Sequence, residues 1–469
     1  MFKSALLLLS GNIVGSLMLL VRNLVVARLI SVEDYGIAAT FAISMAIVET
    51  ITALGLHQLI VQDSKGNDPD MQAGLQGFHL LRGIFSSLTL FLLAGPIASF
   101  LGIPEVSWAY QMLAFLPAIY GLIHYDIYRL QRQMNYLPSI LSTSIPAFLS
   151  VLLIWPLFSL FGDYRVMLFS VLAQGAMGVV TSHLMAERPY RLTLDPAIMK
   201  QAFGFGWPLL LNNILLFAVF QGDKLIVGRE LGLATLAIFA MGFTLTLTPT
   251  LVAAKSTQSF FLPQLSASKA DPARFFSLSM TTLQISLVSG LLVVFAAVAV
   301  GKPLILFLLG QKYADLIPYL TWLAILQALR VFKGGSSVTA LAQGQTSNAM
   351  IANLFRAISL GFAWYVAAHG GDILAIIWIA IAGEAIGYPV SLLLVRYRLK
   401  LSLKPMVAPI LLSVATLGMA ALHTTQSDVA GTLRTWSVVG MTLLFLLSLA
   451  TMHDLRRYIF KRVISRYSE

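Results

Sequence analysis

Cysteine is absent from this chain, and charge is scarce. Without cysteine there is no disulfide framework, no thiolate metal site and no cysteine nucleophile. Charged residues make up 11% of the chain, against roughly a quarter in a soluble domain. No G-x-x-x-x-G-K-[ST] sequence occurs, since Lys333-Gly334-Gly335-Ser336-Ser337 lacks the upstream glycine. That excludes an ATP-driven pump in one chain. Neither a His-Glu-x-x-His sequence nor a Cys/His cluster is present, so no metal or other cofactor is expected.

What fills the chain is apolar. Fourteen long apolar stretches cover residues 5–30, 36–61, 77–101, 107–131, 137–161, 165–185, 201–229, 232–256, 277–300, 313–332, 347–369, 373–395, 404–423 and 434–453. Each is near the ~20 residues a helix needs to cross a ~30 Å hydrocarbon core. Backbone groups cannot be left unpaired there, and runs of this length without alternation read as helices rather than barrel strands. The expected fold class is an all-α polytopic membrane protein of about fourteen transmembrane helices. Lys3 and the apolar run after it continue to Arg22 without a small-x-small cleavage site, and read as an uncleaved first span.

The net charge of +11 invites a nucleic-acid reading, and the positions of the charges oppose it. Of the 31 Lys and Arg residues, the termini and even-numbered turns hold 21, odd-numbered turns hold six, and four fall inside spans. This imbalance predicts that both termini and all even-numbered turns are cytoplasmic, with no nucleic-acid partner. The basic stretch from Arg456 to Arg466 reads as a stop-transfer flank in reach of anionic lipid.

An internal repeat is visible at an offset of 201 residues. Asn12 falls on Asn213, Arg22 on Asp223, Asn23 on Lys224, Val26 on Val227 and Arg28 on Arg229. The expected division is 1–199 (spans 1–6), 200–400 (spans 7–12) and 401–469 (spans 13–14 and a basic tail). Six spans per half make the repeats parallel, related by a pseudo-two-fold axis along the membrane normal, with a cavity between the lobes. The residues alone thus lead to a two-lobed transporter.

The turn Ala27-Arg28-Leu29-Ile30-Ser31-Val32-Glu33-Asp34-Tyr35-Gly36 resembles one found in polysaccharide and O-antigen flippases of the MATE-related multidrug/oligosaccharidyl-lipid/polysaccharide exporter superfamily. Asp223 to Gly232, Arg129 to Tyr136, Phe261 to Ser266 and Leu309 to Asp315 also resemble that family, so the likeness spans about residues 1–400. The resemblance implies a two-lobed fold and alternating access. It also implies an oligosaccharide on an undecaprenyl diphosphate carrier as cargo, moved from the cytoplasmic to the outer leaflet. A proton or sodium gradient, membrane lipids and polysaccharide polymerase machinery are the partners it brings.

Charge inside a span costs roughly 2.5–3.5 kcal/mol on insertion scales, so such groups mark cavities or partners. In span 1, Gly11, Gly15 and Arg22 form one helical stripe and Asn12, Ser16 and Asn23 the next. Arg28, six residues on, can snorkel to the interface. Arg22 offers a guanidinium fork that matches a diphosphate, and either lines the cavity or pairs with Asp223. In span 7, Asn213 and Lys224 join Arg22, Asn23 and Arg356 as candidate cargo ligands. Asp223, Glu49 and Glu384 are candidates for ion coupling, because a carboxylate out of water can hold a proton or small cation.

One pairing is expected, Arg356 with Glu384 on consecutive helices; Glu49, with His57 two turns beyond it, could be silenced by Arg82, which lies shallower in its span. His79 and His124 read as interfacial residues. Prolines 96, 117, 146, 156, 208, 249 and 389 fall within spans, as kinks or hinges. Two other functions compete with the flippase. A multidrug or organic-cation antiporter needs an acidic cavity, whereas here cationic side chains match or outnumber the acids. A membrane glycosyltransferase or polysaccharide polymerase needs a large outer loop, which this chain lacks; no enzyme activity is expected.

Overall fold

The computed structural model describes the backbone of residues 2–52, 54–425 and 431–467, and the side chains of 14–50, 54–207, 210, 213–425 and 435–460. The described residues form α-helices with a few short 3-10 turns and no strand. In chain order the helices are α1 (Phe2–Leu29), α2 (Val32–Thr52), α3 (Leu56–Gln62), α4 (Pro69–Phe100), α5 (Ser107–Leu113), α6 (Phe115–Gly121), α7 (Asp126–Arg132), α8 (Leu137–Leu152), α9 (Ile154–Phe161), α10 (Arg165–Leu184), α11 (Pro196–Glu230) and α12 (Leu233–Ala267). There follow α13 (Pro272–Leu308), α14 (Ile317–Ala342), α15 (Ser347–Ala368), α16 (Ile373–Leu399), α17 (Val407–Thr425), α18 (Gly431–Thr451) and α19 (His453–Tyr467).

Nine described helical segments are long and apolar enough to span a bilayer, or eleven when two bent pairs each count as one. Those pairs are Pro104–Gly121 with Asp126–Arg132, bent by 50°, and Thr435–Thr451 with His453–Phe460, bent by 69°. The other three of the fourteen expected stretches coincide with α1, α2 and α11, which run for 28, 21 and 35 residues. The chain is a multi-pass membrane protein.

Local chemistry explains where helices begin. Asp68, Asp195 and Asp271 each precede a proline and cap α4, α11 and α13 by accepting a backbone N–H of the first turn. The aspartate satisfies an orphan donor and complements the positive helix end, while proline at the first position loses no hydrogen bond. Asp372 caps α16 in the same way, accepting from Ala375 N at 2.8 Å.

The chain separates into two compact units, Met1–Ala240 and Met241–Glu469. In the first, Phe41, Leu90, Tyr110, Leu113 and Leu168 make a buried cluster that joins α2, α4, α5 and α10. Helix α11, at the head of the second half by the repeat, packs on α2, α4 and α3 and belongs to the first unit. In the second, Leu283, Leu287, Ala324, Ala328, Phe332, Leu417, Met441 and Leu455 join α13 and α14 to the C-terminal helices. Lipid supplies no hydrophobic drive between helices, so close approach of small residues matters more. A Cβ on Gly383 or Gly387 of α16 would collide with Ser359 or with Ala352 O of α15 at 2.6 Å. Helix α14 continues past the expected end of its span to Ala342. Arg330 and Lys333, counted by sequence among the 21 charges of termini and even-numbered turns, both lie inside this helix, and Lys333 is buried.

Candidate functional site

The first unit contains a bent helix pair, Pro104–Gly121 with Asp126–Arg132. Between α6 and α7 the chain leaves the helix at residues 122–125 and turns through 50°. Backbone groups freed by such a break need other hydrogen-bond partners. Side chains of α4 and α10 provide them. Gln76 Nε2 donates to Ile123 O at 2.7 Å, and Gln76 Oε1 accepts from Tyr125 N at 2.8 Å. His79 Nε2 donates to Tyr120 O and His183 Nε2 to Leu122 O, both at 3.0 Å, while Ser182 Oγ accepts from His124 N. A carbonyl only accepts, so both imidazoles carry their proton on Nε2. His79 is thus a support of the bend between α6 and α7.

Beside this bend lies a cavity of ≈ 270 Å³ whose lining includes Glu49 of α2, His57 of α3, His79 and Arg82 of α4, and Tyr120, Tyr125 and Tyr128. The rings of His79 and Tyr125 are 5.0 Å apart and those of His57 and Tyr128 5.6 Å. One carboxylate, two imidazoles and a guanidinium facing a shared space can hold or pass a proton. Among the described residues no group of three His, Cys, Asp or Glu side chains is arranged to hold a metal ion.

A second cavity, of ≈ 410 Å³, runs between α1, α8 and α10 and shares Tyr120 and Ile123 with the first as a common wall. Gly15, Ser16 and Leu19 of α1 line it, and Arg22 continues their stripe one turn further. The Arg22 guanidinium donates to Gln174 Oε1 of α10, and its Nε has no hydrogen-bond partner among the described residues. No ion pair joins Arg22 to Asp223. The reason is packing: α1 lies chiefly on α8, whereas α11 lies on α2 and α4. Asn23 is half-buried on α1, and Asn213 and Lys224 are half-buried and Asp223 buried on α11. Asn12 lies outside the described side chains.

In the second unit the expected pair of Arg356 with Glu384 does not form. Glu384, fully buried on α16, accepts Arg330 Nε at 2.8 Å on one oxygen and faces Lys333 Nζ at 2.5 Å on the other. Both cations come from α14, which packs on α16 directly. Lys333 also donates to Asn353 Oδ1 at 2.7 Å, and Arg330 lies 5.2 Å over the Phe243 ring. Arg356, fully buried as well, donates to Ser359 Oγ at 2.8 Å within its own helix. Consecutive helices α15 and α16 do pack together, but the side chains that reach the Glu384 carboxylate come from α14.

The turns that carry the family resemblance are held by local contacts. Ser31 Oγ accepts from Asp34 N at 3.0 Å and donates to its carboxylate at 2.5 Å, a reciprocal cap at the start of α2. A side chain at Gly36 would overlap the carbonyl of Leu233, and Gly232 (φ 86°) ends α11 in the left-handed region. Arg129 is clamped by Asp126 at 2.5 Å and Glu187 at 3.0 Å, and Asp126 also accepts from Glu187 N at 2.8 Å. Arg229 donates to Phe100 O at 2.6 Å from the end of α11.

Comparison with known proteins gives these features a context. A family model described as polysaccharide biosynthesis protein matches residues 25–318. The succinoglycan biosynthesis transport protein ExoT of Rhizobium meliloti is 24% identical over 78% of this chain and 74% of its own length. The teichuronic acid biosynthesis protein TuaB of Bacillus subtilis is 23% identical over 76% of this chain and 74% of its own. Among solved structures, the lipid II flippase MurJ in an inward closed conformation superposes with a TM-score of 0.71 at 13% identity, covering 97% of this chain and 100% of that one. An inward-facing multidrug resistance MATE family transporter superposes at 0.67 and 16% identity, over 82% and 94%. The fold is that of these transporters, and the matched family covers well over half of the sequence: the chain belongs to the polysaccharide biosynthesis protein family.

Proposed function

We propose that this protein is a flippase that carries a lipid-linked oligosaccharide, on an undecaprenyl diphosphate carrier, from the cytoplasmic to the outer leaflet of the bacterial plasma membrane. It works by alternating access, driven by a proton or sodium gradient, and makes or breaks no covalent bond. Its termini are cytoplasmic, and it delivers cargo for cell-surface polysaccharide assembly.

The observation that carries this reading is the excess of cation inside the spans. Among the described residues Arg22 of the first unit meets an amide and no carboxylate, and in the second unit Arg330 and Lys333 face the buried Glu384 while Arg356 is buried on α15. An anionic head group suits such surroundings and an organic cation does not. In this reading Arg22, Asn23, Asn213 and Lys224 are the first unit's candidate ligands for the diphosphate and its first sugars, and Arg356 is the second unit's candidate. Glu49, in its cavity with His57, His79 and Arg82, is the leading ion-coupling residue, with Asp223 second. Glu384 is the weakest of the three, because both its oxygens already face cations.

The test is transfer in proteoliposomes of a fluorescent lipid-linked oligosaccharide, measured by its exposure to an external lectin. Gradient-dependent exposure supports the flippase. Export of organic cations with no movement of the lipid would replace it with the antiporter.

A further inference from the structure

The groove between α1, α8 and α10 differs from the ionisable cavity beside it in carrying no charged side chain. Its polar lining is neutral: Ser16, Tyr120, Ser142, Thr143 and Gln174. The two sides of the groove offer different hydrogen-bonding roles. On α8, Ser142 Oγ donates to Pro138 O at 2.7 Å and Thr143 Oγ1 to Ile140 O at 2.9 Å. Each hydroxyl spends its one proton on its own helix and keeps lone pairs for another partner. On α10, Gln174 spends its carbonyl oxygen on Arg22 and keeps its amide protons. A ligand fitting between them both donates and accepts through the same kind of atom, which describes a sugar hydroxyl and not an ion or an acyl chain.

Size and neighbourhood agree. The volume of ≈ 410 Å³ lies in the usual range for small-molecule sites. Gly15, Ala147 and Gly178 keep the space open, and a Cβ at Gly178 would meet its nearest neighbour, Ser142 O, only at 3.9 Å. Arg22 stands one helical turn, about 4.5 Å of rise, beyond Leu19 at the end of the lining stripe. A sugar bonded to a diphosphate needs such an arrangement, with a neutral polar pocket abutting a cation within a turn.

We propose that this groove is the glycan subsite of the first unit, in which Ser142, Thr143 and Gln174 bind the hydroxyls of the diphosphate-linked sugar while Arg22 holds the adjoining phosphate. The assignment rests on the flippase reading above and names which part of the cargo is read there.

The experiment measures binding of purified full-length protein to farnesyl diphosphate and to its glucosyl ester. Wild type is expected to bind the glucosylated lipid about tenfold tighter, the worth of a few neutral hydrogen bonds. The double variant Ser142→Ala/Thr143→Val removes the acceptors, and Gly178→Val fills the groove without disturbing the backbone. Both are expected to bring the ratio of the two affinities close to one, whereas Arg22→Ala weakens both ligands together. Measurable affinity for farnesyl diphosphate in the groove variants serves as the check that they are folded. Equal affinities in wild type, or an undiminished ratio in both groove variants, would overturn the glycan subsite and leave the flippase reading standing. Failure of wild type to bind either lipid would sink that reading and this proposal with it.

Discussion

Buried charge is handled in two ways in this protein, and the contrast separates structural from functional side chains. Glu384 is enclosed between Arg330 and Lys333 at 2.8 and 2.5 Å, so removing its charge leaves two cations stranded away from water. Glu384→Gln is expected to cost about 3–5 kcal/mol, read as a lowered melting temperature in detergent. An unchanged melting curve would show the cluster to be dispensable for folding. Arg22 instead donates to the uncharged Gln174. Arg22→Ala is expected to abolish surface polysaccharide at normal protein abundance, and Arg22→Lys to restore only part of it, because an ammonium lacks the guanidinium fork. Full polysaccharide in Arg22→Ala cells would remove this residue from the site.

Broken helices need outside help, and here four side chains of two neighbouring elements give it. Gln76 alone serves Ile123 O and Tyr125 N. Gln76→Leu keeps the volume and orphans both groups, at about 1–3 kcal/mol each. The absence of native cysteine makes the local consequence measurable. A single cysteine at Leu122, exposed beside the bend, is expected to react faster with a water-soluble maleimide when Gln76→Leu is present. Equal rates would mean that the bend holds without Gln76. Some of this organisation is readable from sequence, as with the Asp-Pro starts of α4, α11 and α13. The supports of the bend are not, since Gln76, His79, Ser182 and His183 are far from residues 122–125 along the chain and carry no motif. The same holds for Tyr120, which walls both cavities of the first unit.

Taken as a transporter, the protein is expected to lose lipid transfer in proteoliposomes when the proton and sodium gradients are both collapsed by ionophores. Glu49→Gln is expected to make residual transfer independent of the proton gradient. Transfer untouched by either ionophore would mean a facilitated, uncoupled mechanism. The membrane class and most helix positions follow from the chain alone, because transfer from water to hydrocarbon is nearly additive over consecutive residues and needs no knowledge of neighbours. The family likeness was equally legible, carried by turns such as Ser31 to Gly36 whose caps and close approaches are local. Partners were another matter. Whether Glu384 meets Arg356 or Lys333, whether Arg22 meets Asp223 or Gln174, and whether α11 joins the first unit or the second depend on which helices touch. Ion pairs and hydrogen bonds act over a few ångströms of space between residues dozens apart in sequence, so only the packed helices could choose among them.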